Sequence, residues 1–140
     1  MARLMMLSIA SLTLLALAGC QPSATPYVGD WKGSRVYQIQ PGDNALLAKH
    51  IAEVKLTVYS NGTFKLYDGG LTAEGRLDVD SDGSAKLRIL TMLSVRSDMD
   101  ESKFPKVTKE GDKLVYRNGL IDSKEAELTK VSATDSSLRP

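Results

Sequence analysis

The feature that most constrains this chain is a two-residue alternation of apolar and polar side chains, broken at short intervals by turn residues. Val54, Leu56 and Val58 alternate with Lys55, Thr57 and Tyr59, and Asn61-Gly62 follows at once. Phe64 and Leu66 return on one face, and Asp68-Gly69-Gly70 ends that run. Leu71, Ala73, Leu77 and Val79 then alternate with Glu74, Arg76, Asp78 and Asp80. After Asp82-Gly83 come Ala85, Leu87 and Ile89 against Lys86 and Arg88. A period of two places successive side chains on opposite faces of a strand, and Asn-Gly between two such runs is a hairpin signal. Further hairpins are expected at Gly111-Asp112 and near Asn118-Gly119, a loop over 94–103, and a last strand over about 124–131. The fold class is therefore all-β, an antiparallel meander of about seven or eight strands. Exposed edges favour closing such a meander into a small barrel.

One segment departs from this period. In PGDNALLAKHIAEV, Asp43 or Asn44 can cap a helix, and Leu47, Ile51 and Val54 recur at helical spacing. A single short helix is expected over about 44–52, after the first strand.

The first residues are not domain material. Arg3 precedes an apolar run over 4–18, which is too short for the roughly 20 apolar residues of a membrane span and fits a signal peptide. The run ends at Cys20, the only cysteine of the 140 residues, so no internal disulfide is possible. A lone thiol in an oxidising compartment would be a liability unless it were chemically occupied. Leu17-Ala18-Gly19-Cys20 resembles the bacterial lipobox. That resemblance implies cleavage of 1–19, diacylglycerol on the Cys20 sulfur and, with Gln21 next, sorting to the outer membrane. Residues 20–27 then read as the lipidated cysteine and a Pro-containing tether, 28–132 as the domain, and 133–140 as a polar, flexible tail. Loss of Arg3 with the signal brings the 18 basic residues level with the 17 acidic ones. That balance speaks against nucleic acid and against electrostatic membrane binding, leaving the lipid to do the membrane work.

In YVGDWKGSRVY, Gly29-Asp30-Trp31 resembles the Gly-x-Trp of the lipocalin and fatty-acid-binding superfamily, and LTVYSNGTFKLY and GRLDVDSDGSAKL resemble the hairpins of small bacterial lipocalin-like lipoproteins. The resemblance covers most of 28–131. It implies a lipocalin-like barrel closed by a cation from the last strand over the first-strand tryptophan, here Lys130 over Trp31. Lys stands where Arg is usual, the helix falls early, and the chain is short. Such a barrel can hold one small ligand or be filled by its own side chains.

Trp31, Gly33, Arg35 and Tyr37 share one face of the first strand, so an inward Trp31 implies an inward Arg35. A guanidinium inside a barrel must be paired or must bind an anion. Arg35, with Tyr37 and Tyr116, is the candidate ligand site, and the competing reading is that Arg35 lies at the rim or pairs with an internal acid. DVDSDG places Asp78, Asp80, Asp82 and Gly83 as in the first half of a calcium loop, but the twelfth position is Ile89, so no metal is expected. The only histidine, His50, falls on the helix, and the sequence holds no HExxH, CxxC or Gly-x-Ser-x-Gly. No catalytic residue, enzyme activity or cofactor is expected.

Two functions follow. The leading one is non-enzymatic binding of a small or lipidic ligand inside the barrel of an anchored lipoprotein. The alternative is a structural or interaction lipoprotein, its barrel filled and its surface set against another envelope protein. Large residues predicted inward (Trp31, Phe64, Leu66, Leu77, Leu87, Ile89, Leu114, Tyr116 and Leu128) favour filling, and Arg35 favours a ligand.

Overall fold

The structure is a computed structural model that describes residues 23–131. The expected signal peptide, Cys20 and the tail 133–140 lie outside the described residues. Strand β1 (Gly29–Arg35) is followed by helix α1 (Ala45–Ala52). Then come β2 (Glu53–Val58), β3 (Thr63–Asp68), β4 (Leu71–Val79), β5 (Ser84–Met92) and the two-residue β6 (Val95–Arg96). The last three strands are β7 (Lys106–Glu110), β8 (Lys113–Arg117) and β9 (Ala126–Lys130).

Each strand pairs antiparallel with its neighbours. β1 also pairs with β9, in a register that sets Trp31 beside both Leu56 and Lys130. Eight strands therefore form a closed barrel, and β6 is a hairpin extension paired with the end of β5. The resulting fold is the small antiparallel barrel with one helix after its first strand that the alternation implies. Closure satisfies the backbone groups an open edge would leave exposed.

All nine residues expected inward are buried. Charged partners such as Lys55, Lys65, Glu74 and Arg76 face out. An apolar inside and a charged outside is the reverse of a membrane-spanning barrel, whose outer band is apolar. Burying each large apolar side chain contributes about 1.5–3 kcal/mol, so the interior is the main source of stability. Gly33 and Gly75 mark the tightest strand contacts. A Cβ on Gly33 would lie 1.9 Å from the Glu127 carbonyl oxygen, and one on Gly75 1.8 Å from that of Arg88. Gly75 also sits at a register shift in the β4–β5 pairing, where a bulge bends the strand and helps the sheet curl.

Strand directions give the barrel two ends. The chain enters at the proximal end, with the turns at 59–62, 80–83 and 111–112. The segment 36–52, Gly69-Gly70, the β5–β6 hairpin and the loop 118–125 lie at the distal end. The structure corrects four expectations here. Residues 25–27, assigned above to the tether, form a 3-10 turn, and Tyr27 is 1% exposed. Its hydroxyl donates to the Gly83 carbonyl and its own carbonyl accepts from Trp31 Nε1 at 2.7 Å, so it plugs the proximal end. The helix buries Ala48 and Ala52, while Leu47, expected on the buried face, is 57% exposed. The barrel is closed without α1, which lies on its outside and runs directly into β2. Small side chains, with Asn44 capping at 3.0 and 3.2 Å, suit that close approach. Asn118-Gly119 is not a tight hairpin, because residues 118–125 form a longer loop between β8 and β9. The loop 94–103 also contains β6 and a second 3-10 turn, Glu101–Lys103.

Tyr27→Ala is expected to cost about 3–5 kcal/mol, the range for losing a large aromatic from a core. Urea unfolding followed by tryptophan fluorescence measures it. An unchanged midpoint would return Tyr27 to the tether.

Candidate functional site

Arg35 is the last residue of β1 and points into the distal end of the barrel, 4% exposed. Facing it is Asp68, the last residue of β3 and fully buried. Arg35 Nη1 lies 2.6 Å from Asp68 Oδ1. That contact is not aligned as a hydrogen bond, so its attraction is mainly Coulombic. The other carboxylate oxygen, Oδ2, accepts from the Tyr116 hydroxyl and from the Leu120 backbone N–H, both at 2.7 Å. Arg35 Nε donates to the Lys124 carbonyl at 3.3 Å, and the guanidinium lies 5.6 Å from the centre of the Tyr116 ring. One carboxylate thus ties β1, β3, β8 and the loop 118–125 together.

Gly119 makes this possible. A Cβ there would lie 2.1 Å from Arg35 Nη2 and 2.8 Å from Asp68 Oδ2. Asn118, at φ 53, turns the chain so that Leu120 can donate inward. Burial, and then the negative charge and acceptor oxygen of Asp68, push the Tyr116 hydroxyl well above its ordinary value of 10.0.

The structure therefore brings two of the three candidate ligand residues, Arg35 and Tyr116, into one buried network. Tyr37 stands apart, half-exposed, with Lys124 Nζ 5.6 Å from its ring centre. The residue missed in the sequence is Asp68. Its position at the start of Asp-Gly-Gly reads as a turn signal, although its parity with Phe64 and Leu66 already places it on the inward face.

At the proximal end Lys130 Nζ is 5.5 Å from the centre of the Trp31 ring, and Lys109 Nζ is at the same distance. Each such contact contributes about 0.5–1 kcal/mol for an exposed cation. Asp82 accepts from the Ser84 N–H at 2.9 Å and from its hydroxyl at 2.6 Å, which holds the turn and lowers the Asp82 pKa. Asp78 pairs with Arg88 at 2.7 Å. Among the described residues no group of three His, Cys, Asp or Glu side chains is placed to hold a metal ion. His50 is exposed on α1.

Two cavities lie on the outer surface. One, of about 790 Å³, runs between α1, the segment after β1 and the outer face of β1 and β2, and is lined by Tyr37, Ile39, Leu46, Lys49 and Lys55 among others. The other, of about 340 Å³, lies over β3, β4 and β5 near Gly75.

No family model, curated protein or solved structure matches this chain. The class rests on the fold and the site alone. This is a small closed eight-stranded antiparallel barrel, consistent with the lipocalin-like shape, with a buried Arg–Asp–Tyr network across its distal end.

The raised Tyr116 pKa has a consequence for stability. The folded state holds a proton that the unfolded chain releases near pH 10, so this contribution is intact below pH 10 and lost as pH rises beyond it. Tyr27, raised by burial first, acts in the same sense. Tyr116→Phe is expected to flatten the fall in stability above pH 10 without abolishing it, as read by urea midpoints between pH 7 and 11. An identical alkaline slope in the variant would contradict the assignment.

Proposed function

We propose that this chain is a bacterial lipoprotein, held in the outer membrane through acylated Cys20, that acts without catalysis as an interaction module on another envelope protein. The observation that carries this reading is the filled interior. The barrel space is occupied by side chains such as Leu56, Phe64, Leu66, Leu87, Leu114 and Leu128, each no more than 2% exposed. A small or lipidic ligand inside the barrel would have to displace them. The inward Arg35, the main argument for such a ligand, already faces Asp68.

The outer surface supports the same reading. Among the described residues, nine of the ten exposed large apolar side chains belong to the distal half, and Tyr59 alone lies at the proximal end. They include Val36 and Ile39 after β1, Leu46 and Leu47 on α1, and Leu93 and Val95 on the β5–β6 hairpin. Clusters of exposed apolar side chains mark interaction surfaces more often than they mark ordinary surface. The hairpin adds a second sign, since Leu93 and Ser94 adopt φ values of 49 and 65, unfavourable for residues other than glycine. Such strain gathers at functional positions. With the tether leaving from the proximal end, the apolar end points away from the anchor.

A photo-crosslinking residue at Val95 of the full chain, in cells that make it, is expected to give one adduct of discrete mass. The same residue at Asn61 is expected to give none, and Cys20→Ala to remove the Val95 adduct by taking the protein off the membrane. Absence of an adduct from Val95, or equal adducts from both positions, would contradict the proposal.

A further inference from the structure

Helix α1 touches the barrel through Ala48 and Ala52 and leaves Leu46 66% exposed beside Ile39, which is 57% exposed. These two, with Tyr37, line the outer groove of about 790 Å³. That volume is within the range of about 300–1,000 Å³ typical of small-molecule sites. The charges around it are unequal. Lys49 and Lys55 line the groove with one carboxylate, Glu53, which Lys55 engages at 3.0 Å. Arg35 also lines it, but its charge is matched inside the barrel by Asp68. Lys49, exposed in the last turn of α1, has no ion pair among the described residues.

We propose that this groove is a binding site for a single-chain amphiphile with an anionic headgroup, a carboxylate or a phosphate. The acyl chain covers Tyr37, Ile39 and Leu46, and the headgroup meets Lys49. A neutral amphiphile leaves the Lys49 charge unanswered, and a small anion without a chain leaves the apolar wall in water. The site lies outside the barrel and does not depend on the partner reading above.

The test uses the purified full chain in phosphatidylcholine nanodiscs and three photoactivatable probes, diazirine palmitate, diazirine lysophosphatidate and the neutral diazirine hexadecanol. Adducts are mapped by peptide mass spectrometry. At least one acidic probe is expected to label residues 37–49 at least tenfold more than the alcohol. Preference for the lysophosphatidate identifies a lipid phosphate as the headgroup, and preference for palmitate a free fatty acid. Lys49→Gln alone, and Leu46→Asp with Lys49→Glu, are expected to reduce that labelling at least tenfold. Both variants alter exposed positions, and circular dichroism checks that the barrel persists. Equal labelling by the alcohol, adducts spread around the barrel, or labelling unchanged in a folded Lys49→Gln variant would overturn the proposal. Because no partner protein is present, any of these results leaves the partner reading standing.

Discussion

The distal end of the barrel depends on one buried carboxylate. Asp68 faces the Arg35 guanidinium at 2.6 Å and accepts from Tyr116 and from the Leu120 backbone. Removing two charges from water costs several kcal/mol per ion, and the attraction between them offsets this only where further hydrogen bonds complete the site. Three strands and a loop converge here to do so, and stranding either charge would cost about 3–5 kcal/mol. The pair is thus better understood as a fastener than as a source of net stability. It fixes the loop 118–125 across the barrel mouth.

The proximal end is closed by different physics. Tyr27 and Trp31 fill it, joined by the indole N–H on the Tyr27 carbonyl, with Lys109 and Lys130 near the Trp31 ring. Between the two plugs, the alternating inward residues occupy the interior. An eight-stranded barrel is just wide enough for side chains to fill. This chain uses that space for stability.

The strands, the closed barrel and the inward residues were legible because a period of two leaves little freedom: one face must be buried. Gly62, Gly83 and Gly111 likewise mark real turns, each with a positive φ. What was not legible depends on contacts between distant segments. Tyr27 follows a small, polar, Pro-containing stretch, and only the position of Gly83 shows that its ring belongs to the core. Leu47 fits an amphipathic helix, yet α1 packs on a finished barrel and uses alanines instead. Arg35 could be placed inward by parity, but its partner lay 33 residues away in a turn signal, so pairing and ligand binding stayed open. The role of Gly119 follows from a close approach that no local pattern records.

The central claim, that the interior is full, is tested most directly with xenon, which enters dry apolar cavities. Methyl NMR spectra of the protein under xenon pressure would report on Leu56, Leu66, Leu87, Leu114 and Leu128 at once. The account predicts that these core methyl signals stay where they are, whatever happens to exposed Leu46 and Ile39. Saturable shifts of the core leucines would reveal an internal cavity, contradict the filled barrel, and return the ligand to its inside.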